Sequence, residues 1–323
     1  MRAIRVTDNG NPEVLEVKHV PRPEPANGEV RIDVRAAGVN FADIEKRRGR
    51  YPDGPTPPYV PGLEVTGVID AVGPGVDHSV GERVIALVSS GGYAEKAIAP
   101  EDRVFSIPDG LSWEEAAGIP VQFLTAHNAL HEWGELGDGE RVLVHAAAGG
   151  VGSAAVQLAA VAGAEVFATA STDSKLQLAT DLGADHAIDY TTADVADEVE
   201  SLTDGEGVDL VLDGVGGAAF SASLDCLAAG GRIVSYGMAS GSIPTVATPR
   251  LFFENQSVVG YHLEHALDHE PDRVRAAVLP LMELLSDGAI HVEVGRTFSL
   301  EDAAVAHEFI EDRKSTGKVV LVP

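Results

Sequence analysis

A chain of 323 residues is long for a single hydrophobic core, so two domains are expected. Fifty Asp and Glu stand against 23 Lys and Arg, only six of them Lys, and the net charge of −27 argues against nucleic acid or anionic membranes as partners. One cysteine, Cys226, excludes an intramolecular disulfide and any zinc site built on several cysteines.

Residues 1–8 are charged and lack the apolar core of a signal peptide. Residues 1–110 then carry short alternating strands, among them 29–35, 65–72 and 83–88, punctuated by Pro61-Gly62, Gly73-Pro74-Gly75 and Gly81. That spacing predicts a compact antiparallel β domain. From Ser112 the apolar period becomes helical, and strands alternate with helices. Strands are expected at 141–144, 165–169, 186–189, 208–212, 232–236 and 257–261. Together they make the two halves of a six-stranded, doubly wound parallel sheet of the Rossmann type. An acidic loop, a helix near 272–285 and a strand at 318–322 follow. That last strand is expected to return to the first domain, because a completed six-stranded sheet offers it no partner. The expected domains are 1–122 with 264–323, and 123–263.

The run Val142-Leu-Val-His-Ala-Ala-Ala-Gly-Gly-Val-Gly-Ser153 reads as a buried strand, a turn of small residues and the start of a helix. Within it, Ala147-x-Gly149-x-x-Gly152 is a variant of the dinucleotide-binding fingerprint. Small residues allow the tight turn, the close approach of backbone to a pyrophosphate and the packing of helix on strand. The helix start offers unpaired N–H groups to phosphate. A purely structural turn is the plainer reading of the same residues. No charged residue occurs from Val142 to Ala164, but this stretch is mostly Ala and Gly and contains the turn, so it reads as buried strand and helix rather than a membrane span. A cytoplasmic protein is expected. Its carboxylates are spread rather than gathered in a tail, and lysine is scarce. This suits a halophilic surface, where repulsion is screened within about 3 Å at 1 M salt; an ordinary acidic protein is the alternative.

Several motifs in order carry a resemblance. Ala36-Ala-Gly-Val-Asn-Phe-Ala-Asp43, Arg48-Gly-Arg-Tyr-Pro52, Pro61-Gly-Leu-Glu-Val-Thr-Gly67 and Gly81-Glu-Arg-Val84 lie in the first domain. Leu124-Thr-Ala-His-Asn-Ala-Leu130, His145-Ala-Ala-Ala-Gly-Gly-Val-Gly152 and Gly230-Gly-Arg-Ile-Val234 lie in the second. Over nearly the whole length the chain resembles the medium-chain dehydrogenase/reductase superfamily, in its zinc-free quinone oxidoreductase branch. The resemblance implies a mainly antiparallel GroES-like catalytic domain beside an NADPH-binding Rossmann domain. Zinc-dependent relatives carry Cys where this chain has Asn40 and His where it has Leu63. Glu64 remains, but a lone carboxylate is not a zinc site, so no metal is expected.

The implied activity is hydride transfer from NADPH to a quinone or activated enone. The alternatives are a 2-enoyl-thioester reductase and a non-catalytic NADPH-binding sensor or structural protein. Asn40 resembles the position beside nicotinamide and substrate, where its amide would donate to a reduced oxygen; an Asn closing a turn after Gly38 is the other reading. Asp43 would orient Asn40 or nearby backbone, or serve the structure alone. Tyr51 matches a tyrosine acid of related enoyl-thioester reductases, or is a packed turn aromatic. Thr125 resembles a position near the nicotinamide, or packs its helix. Ala147, Gly149, Gly150, Val151 and Gly152 form the phosphate turn. After the second strand, Lys175 and Tyr190 match the branch's contacts to the extra phosphate of NADPH, with Ser171 or Thr172 as further donors and Asp173 opposing them. Arg313 or Lys314 would add charge there, or form a solvated basic pair. His127, His131 and His145 have no ligand spacing and receive no role. Cys226 reads as a buried helix residue. The apolar strand at 257–261 ends the series, so it is expected at a sheet edge, pairing with its twin in a homodimer.

Overall fold

The Glu29–Val39 strand organises the first half of the chain. Val30, Ile32 and Val34 are buried on one of its faces, at the two-residue period of a pleated strand. It pairs antiparallel with Glu64–Val72 and with Lys96–Pro100, and its last residues pair antiparallel with Lys318–Val322. The sheet order is Val294–Ser299, Lys318–Val322, Glu29–Val39, Glu64–Val72, Arg83–Leu87 and Val104–Ser106, with Lys96–Pro100 branching from Glu29–Val39. The last strand of the chain therefore does return to the first sheet. Ile4, Ile32, Val65, Ile69, Val84, Tyr93, Val319 and Leu321 are among the residues that fill the core.

The computed structural model describes every residue except Asp53 and Asp109. It divides into two units: Met1–Val121 with Val292–Pro323, and Gln122–His291. The second unit holds six parallel strands in the order His186–Asp189, Glu165–Ala170, Arg141–Val144, Val208–Asp213, Leu227–Ser235 and Ser257–Gly260. This is a doubly wound sheet whose order reverses beside Arg141–Val144, the place where such sheets bind ligands at the carboxyl ends of their strands. Val142, Leu143, Val144, Leu210, Val211 and Leu212 are wholly buried, as strands covered on both faces must be. Among the described residues no helix is long and apolar enough to cross a membrane.

Three details differ from expectation. The acidic stretch after Tyr261 is a helix, Leu263–His269, because His262 caps it through Nδ1 on the His265 N–H at 3.1 Å and Ala266 and Leu267 are buried beneath it. The single helix expected at 272–285 is two, Pro271–Arg275 and Val278–Ser286. Pro280 explains the break, since its ring would clash with the carbonyl of Ala276 in a continuous helix. Finally, these helices belong to the second unit, which runs to His291 rather than ending at 263. Arg273 holds them there: its guanidinium lies 4.0 Å over the Trp133 ring and donates to the Glu132 carbonyl. Gln157 and the His291 backbone exchange hydrogen bonds at 3.0 and 2.9 Å.

Candidate active site

Asn40 sits where the Glu29–Val39 strand passes into the helix Phe41–Arg47, in extended conformation as its N-cap. Its side chain is held at both ends. Nδ2 donates to Glu64 Oε1 at 2.9 Å, and Oδ1 accepts from Lys318 Nζ at 2.8 Å. An ammonium can only donate, so the orientation of the amide is set by its charged neighbours. Glu64 is wholly buried and ion-paired with Lys318, itself 2 % exposed; the second carboxylate oxygen accepts the Val121 N–H at 2.7 Å. Each buried charge is thus paired and hydrogen-bonded, the condition under which burying ions is tolerated. Gly38 makes the room. A Cβ there would lie 2.3 Å from Glu64 Oε1 and 2.5 Å from Lys318 Cε.

Asp43, on the first turn of the same helix, is 1 % exposed. Its carboxylate accepts the Asn40 N–H at 3.0 Å, the Gly62 N–H at 3.2 Å and the Tyr93 hydroxyl at 3.0 Å. Burial pushes its carboxyl up to about 6, against the opposing pull of the Asn40 N–H, Lys46, Tyr93 and Lys318. Behind it a buried chain continues. Tyr93 Oη lies 3.2 Å from His307 Nε2, and His307 Nδ1 lies 3.4 Å from Arg47 Nη1. Arg47 can only donate, so Nδ1 accepts, Nε2 donates to Tyr93, and Tyr93 donates to Asp43. Burial, with Arg47 and Arg48 close by, holds His307 down at about 3, neutral at pH 7. Arg47 is wholly buried and paired with Glu311. This geometry makes Asp43 a positioning residue that fixes the Asn40 and Gly62 backbone. Tyr51 lies past the other end of the helix, with Lys46 Nζ 5.1 Å from its ring centroid.

In the second unit, the turn after Arg141–Val144 is pinned to both neighbouring strands. His145 N–H donates to the Leu212 carbonyl at 3.2 Å, and Ala147 N–H to the Thr169 carbonyl at 3.1 Å. Ala146 turns the chain at φ 50°, and the helix Gly150–Val161 begins after Gly149, whose lack of a side chain leaves the first-turn N–H groups uncapped. At Gly152 a Cβ would lie 2.2 Å from the Ala146 carbonyl oxygen, so only glycine lets the helix lie this close to the turn. His145 beneath it is a buried spacer, with Nδ1 3.0 Å from Thr169 Oγ1 and Nε2 2.8 Å from Ser223 Oγ.

Ala170 stands opposite Asp189 across the parallel pair, and Tyr190 N–H donates to the Ala170 carbonyl at 3.3 Å, so Ser171 and Tyr190 leave the sheet side by side. Thr172 caps the helix Asp173–Asp181 by accepting the Lys175 N–H at 3.4 Å, which puts Lys175 in the first turn beyond Ser171. Lys175, Ser171 and Tyr190 are therefore carried on the segments that follow these two neighbouring strand ends, with Asp173 exposed in the same segment. The uncapped turn and these strand ends suit NADPH: the turn would hold its pyrophosphate, and Lys175, Ser171 and Tyr190 would be the residues to hold its ribose phosphate. Thr125 is 7 % exposed on the short helix Leu124–His127. Among the described residues no group of three or more His, Cys, Asp or Glu could hold a metal ion.

Reading the sequence alone misses Lys318, Tyr93, His307 and Arg47, whose roles depend on neighbours far along the chain. It also misses Asp213, whose carboxylate accepts the Val215 and Gly216 N–H groups at 2.8 and 3.0 Å and shapes the turn after the fourth parallel strand. The glycine run Gly214-Val-Gly-Gly217 behind that strand is the signal that marks it.

Comparison with known proteins agrees with this architecture. The family model described as alcohol dehydrogenase GroES-like domain matches residues 26–109, and that described as zinc-binding dehydrogenase matches 150–283. A quinone oxidoreductase of Pseudomonas aeruginosa is 37% identical over 324 residues, covering 100% of this chain and 99% of its own. Two solved structures, each covering 100% of both chains, superpose with a TM-score of 0.94. One is the mycobacterial protein Rv1454c complexed with NADPH, 39% identical; the other is the Escherichia coli quinone oxidoreductase complexed with NADPH, 33% identical. The chain belongs to the medium-chain dehydrogenase/reductase superfamily, in its zinc-free quinone oxidoreductase branch.

Proposed function

We propose that this protein is an NADPH-dependent, zinc-independent reductase of quinones and activated enones. The observation that carries the reading is the Asn40 amide, whose Oδ1 is committed to Lys318 so that Nδ2–H is the group left for a substrate oxygen. Bound NADPH would supply a hydride which, with one proton from solvent, converts a quinone to its hydroquinone. The chain's own part is electrostatic. Asn40 donates to the oxygen on which negative charge develops, and a fixed donor at that point is the kind of contribution that lowers such barriers. Asp43 holds the Asn40 backbone in register, Tyr51 borders the substrate, and Thr125 borders the nicotinamide. Gly149, Gly150, Val151 and Gly152 cradle the pyrophosphate against Ala147. Lys175, Ser171 and Tyr190 select NADPH over NADH.

Mixing protein, NADPH and a simple para-quinone in high salt should consume the 340 nm absorbance in proportion to quinone, with NADH a poorer donor. Tight NADPH binding without turnover of any quinone or enone would contradict it; turnover of 2-enoyl thioesters alone would move the protein to the enoyl reductases.

The same reading includes a cytoplasmic homodimer. Ser257–Gly260 is the outer strand of its sheet, and Ile243, Phe252 and Phe253 nearby in sequence are 78%, 62% and 75% exposed. A second copy of the chain is the partner that suits an open strand edge preceded in sequence by exposed apolar side chains. Light scattering that finds only monomer would remove the dimer.

A further inference from the structure

We propose that Lys318 is a positioning residue for the reaction: a buried cation that fixes and polarises the Asn40 amide, so that the ammonium reaches the substrate oxygen through Asn40 rather than by contact. The proposal rests on the reductase reading above.

Three observations converge on it. First, Lys318 is 2 % exposed in a strand whose next residues, Val319, Val320 and Leu321, are equally buried, a setting that would cost a lone ammonium heavily. Glu64 offsets that cost by ion pairing, and a carboxylate with no exposure of its own is a counter-ion that solvent and salt do not screen. Second, the architecture around the pair leaves space for it. The backbone at position 38 lacks a side chain, a Cβ there would also stand 2.7 Å from the Ala117 carbonyl oxygen, and Gly38 pairs directly with Val320 two residues beyond Lys318. Third, the ammonium is spent on one neutral group, the Oδ1 of Asn40 at 2.8 Å.

The consequence is chemical. A cation on the carbonyl end of an amide draws electron density from its nitrogen, and hydrogen bonds in such a chain strengthen one another. The Nδ2–H donors of Asn40 become better donors, and the carbonyl end cannot rotate toward the substrate. Glu64 Oε1 takes one of those hydrogens at 2.9 Å, which leaves one for a substrate oxygen. An acceptor whose negative charge concentrates on one oxygen, such as a simple enone, gains more from this than a quinone, whose anion is delocalised.

Two variants test it. Glu64→Gln with Lys318→Met removes both charges together, so neither is left buried alone. The expected result is an unchanged NADPH dissociation constant, with kcat on a cyclic enone lowered about 100-fold, the low end of the loss from deleting one oxyanion donor. On para-benzoquinone the loss should be smaller. Adding Asn40→Ala to this pair should lower kcat little further, because both changes remove one interaction. A pair variant with wild-type kcat on both acceptors overturns the proposal. So does a loss that multiplies with that of Asn40→Ala. A wild-type protein inert toward every quinone and enone would instead remove the reductase reading and this inference with it.

Discussion

The two units meet their tasks with different materials. In the first, the candidate site is made of charged and polar side chains buried out of solvent: Asn40, Glu64 and Lys318 in one cluster, Asp43, Tyr93, His307 and Arg47 in another. In the second, the candidate phosphate turn is backbone and small side chains, with Lys175 in the first turn of the helix that follows the next strand. Backbone donors cannot be mutated away, and they bind any pyrophosphate. Side-chain donors can be tuned to one substrate, but each demands a partner. The first unit should therefore be the brittle one, where a single substitution strands a buried charge.

Lys318→Met should have the largest effect, because Glu64 would stay buried without a counter-ion. Such losses run to about 3–5 kcal/mol, and most of the deficit should return when Glu64→Gln is added. Chemical denaturation of the single and double variants measures both. Gly38→Ala belongs in the same range, since its Cβ would meet the Glu64 carboxylate and the Ala117 carbonyl.

Gly152→Ala tests the other unit. Its Cβ would press on the Ala146 carbonyl oxygen, and overpacking of this kind costs about 1–3 kcal/mol. Here the displaced helix start should also weaken NADPH binding, which fluorescence titration reads.

These contrasts explain what could be read from residue order. The strand, turn and helix around Gly149 were legible because their residues are contiguous from Val142 to Val161 and the signal is local. The six parallel strands were legible from their apolar runs, and the return of Lys318–Val322 to the first sheet followed from its need for a partner. Asn40 and Asp43 came from a motif, but the side chains that hold them did not. Lys318 is 278 positions from Asn40, and nothing in Gly317-Lys318-Val-Val says that its ammonium is buried. Glu64 was the available clue: a carboxylate inside an apolar motif needs a cation, and the chain has only six lysines. The boundary at His291 was missed because it depends on Arg273 reaching Trp133.

A smaller effect is expected of pH. His307 is held at about 3, below its ordinary value of 6.5, so its neutral form stabilises the fold above pH 6.5 and that contribution is lost as pH falls toward 3. Asp43 acts in the opposite sense. Its value of about 6 lies above the ordinary 3.8, so its contribution is present below pH 3.8 and lost as pH rises through 6. His307→Gln should flatten the acid side of the stability profile, as thermal melts from pH 7 down to 4 would register. A variant with the wild-type slope would show that His307 does not carry it.

The smallest effect per group, spread over the surface, is that of salt. With a net charge of −27, self-repulsion should weaken as the screening length falls from about 10 Å at 0.1 M to about 3 Å at 1 M. The melting temperature should therefore rise with potassium chloride over that range. A salt-independent melt would leave the acidic surface without consequence for stability.

The division of labour between the units is tested most directly by measuring the NADPH dissociation constant and the single-turnover rate at saturating NADPH in Lys175→Ala and Asn40→Ala. Lys175→Ala should raise the dissociation constant about tenfold to a hundredfold, as expected for one lost charge-assisted contact, and leave NADH binding and the saturated rate unchanged. Asn40→Ala should leave the dissociation constant unchanged and lower the saturated rate. If both substitutions move both quantities together, cofactor and substrate are not held by separate machinery, and the account is wrong.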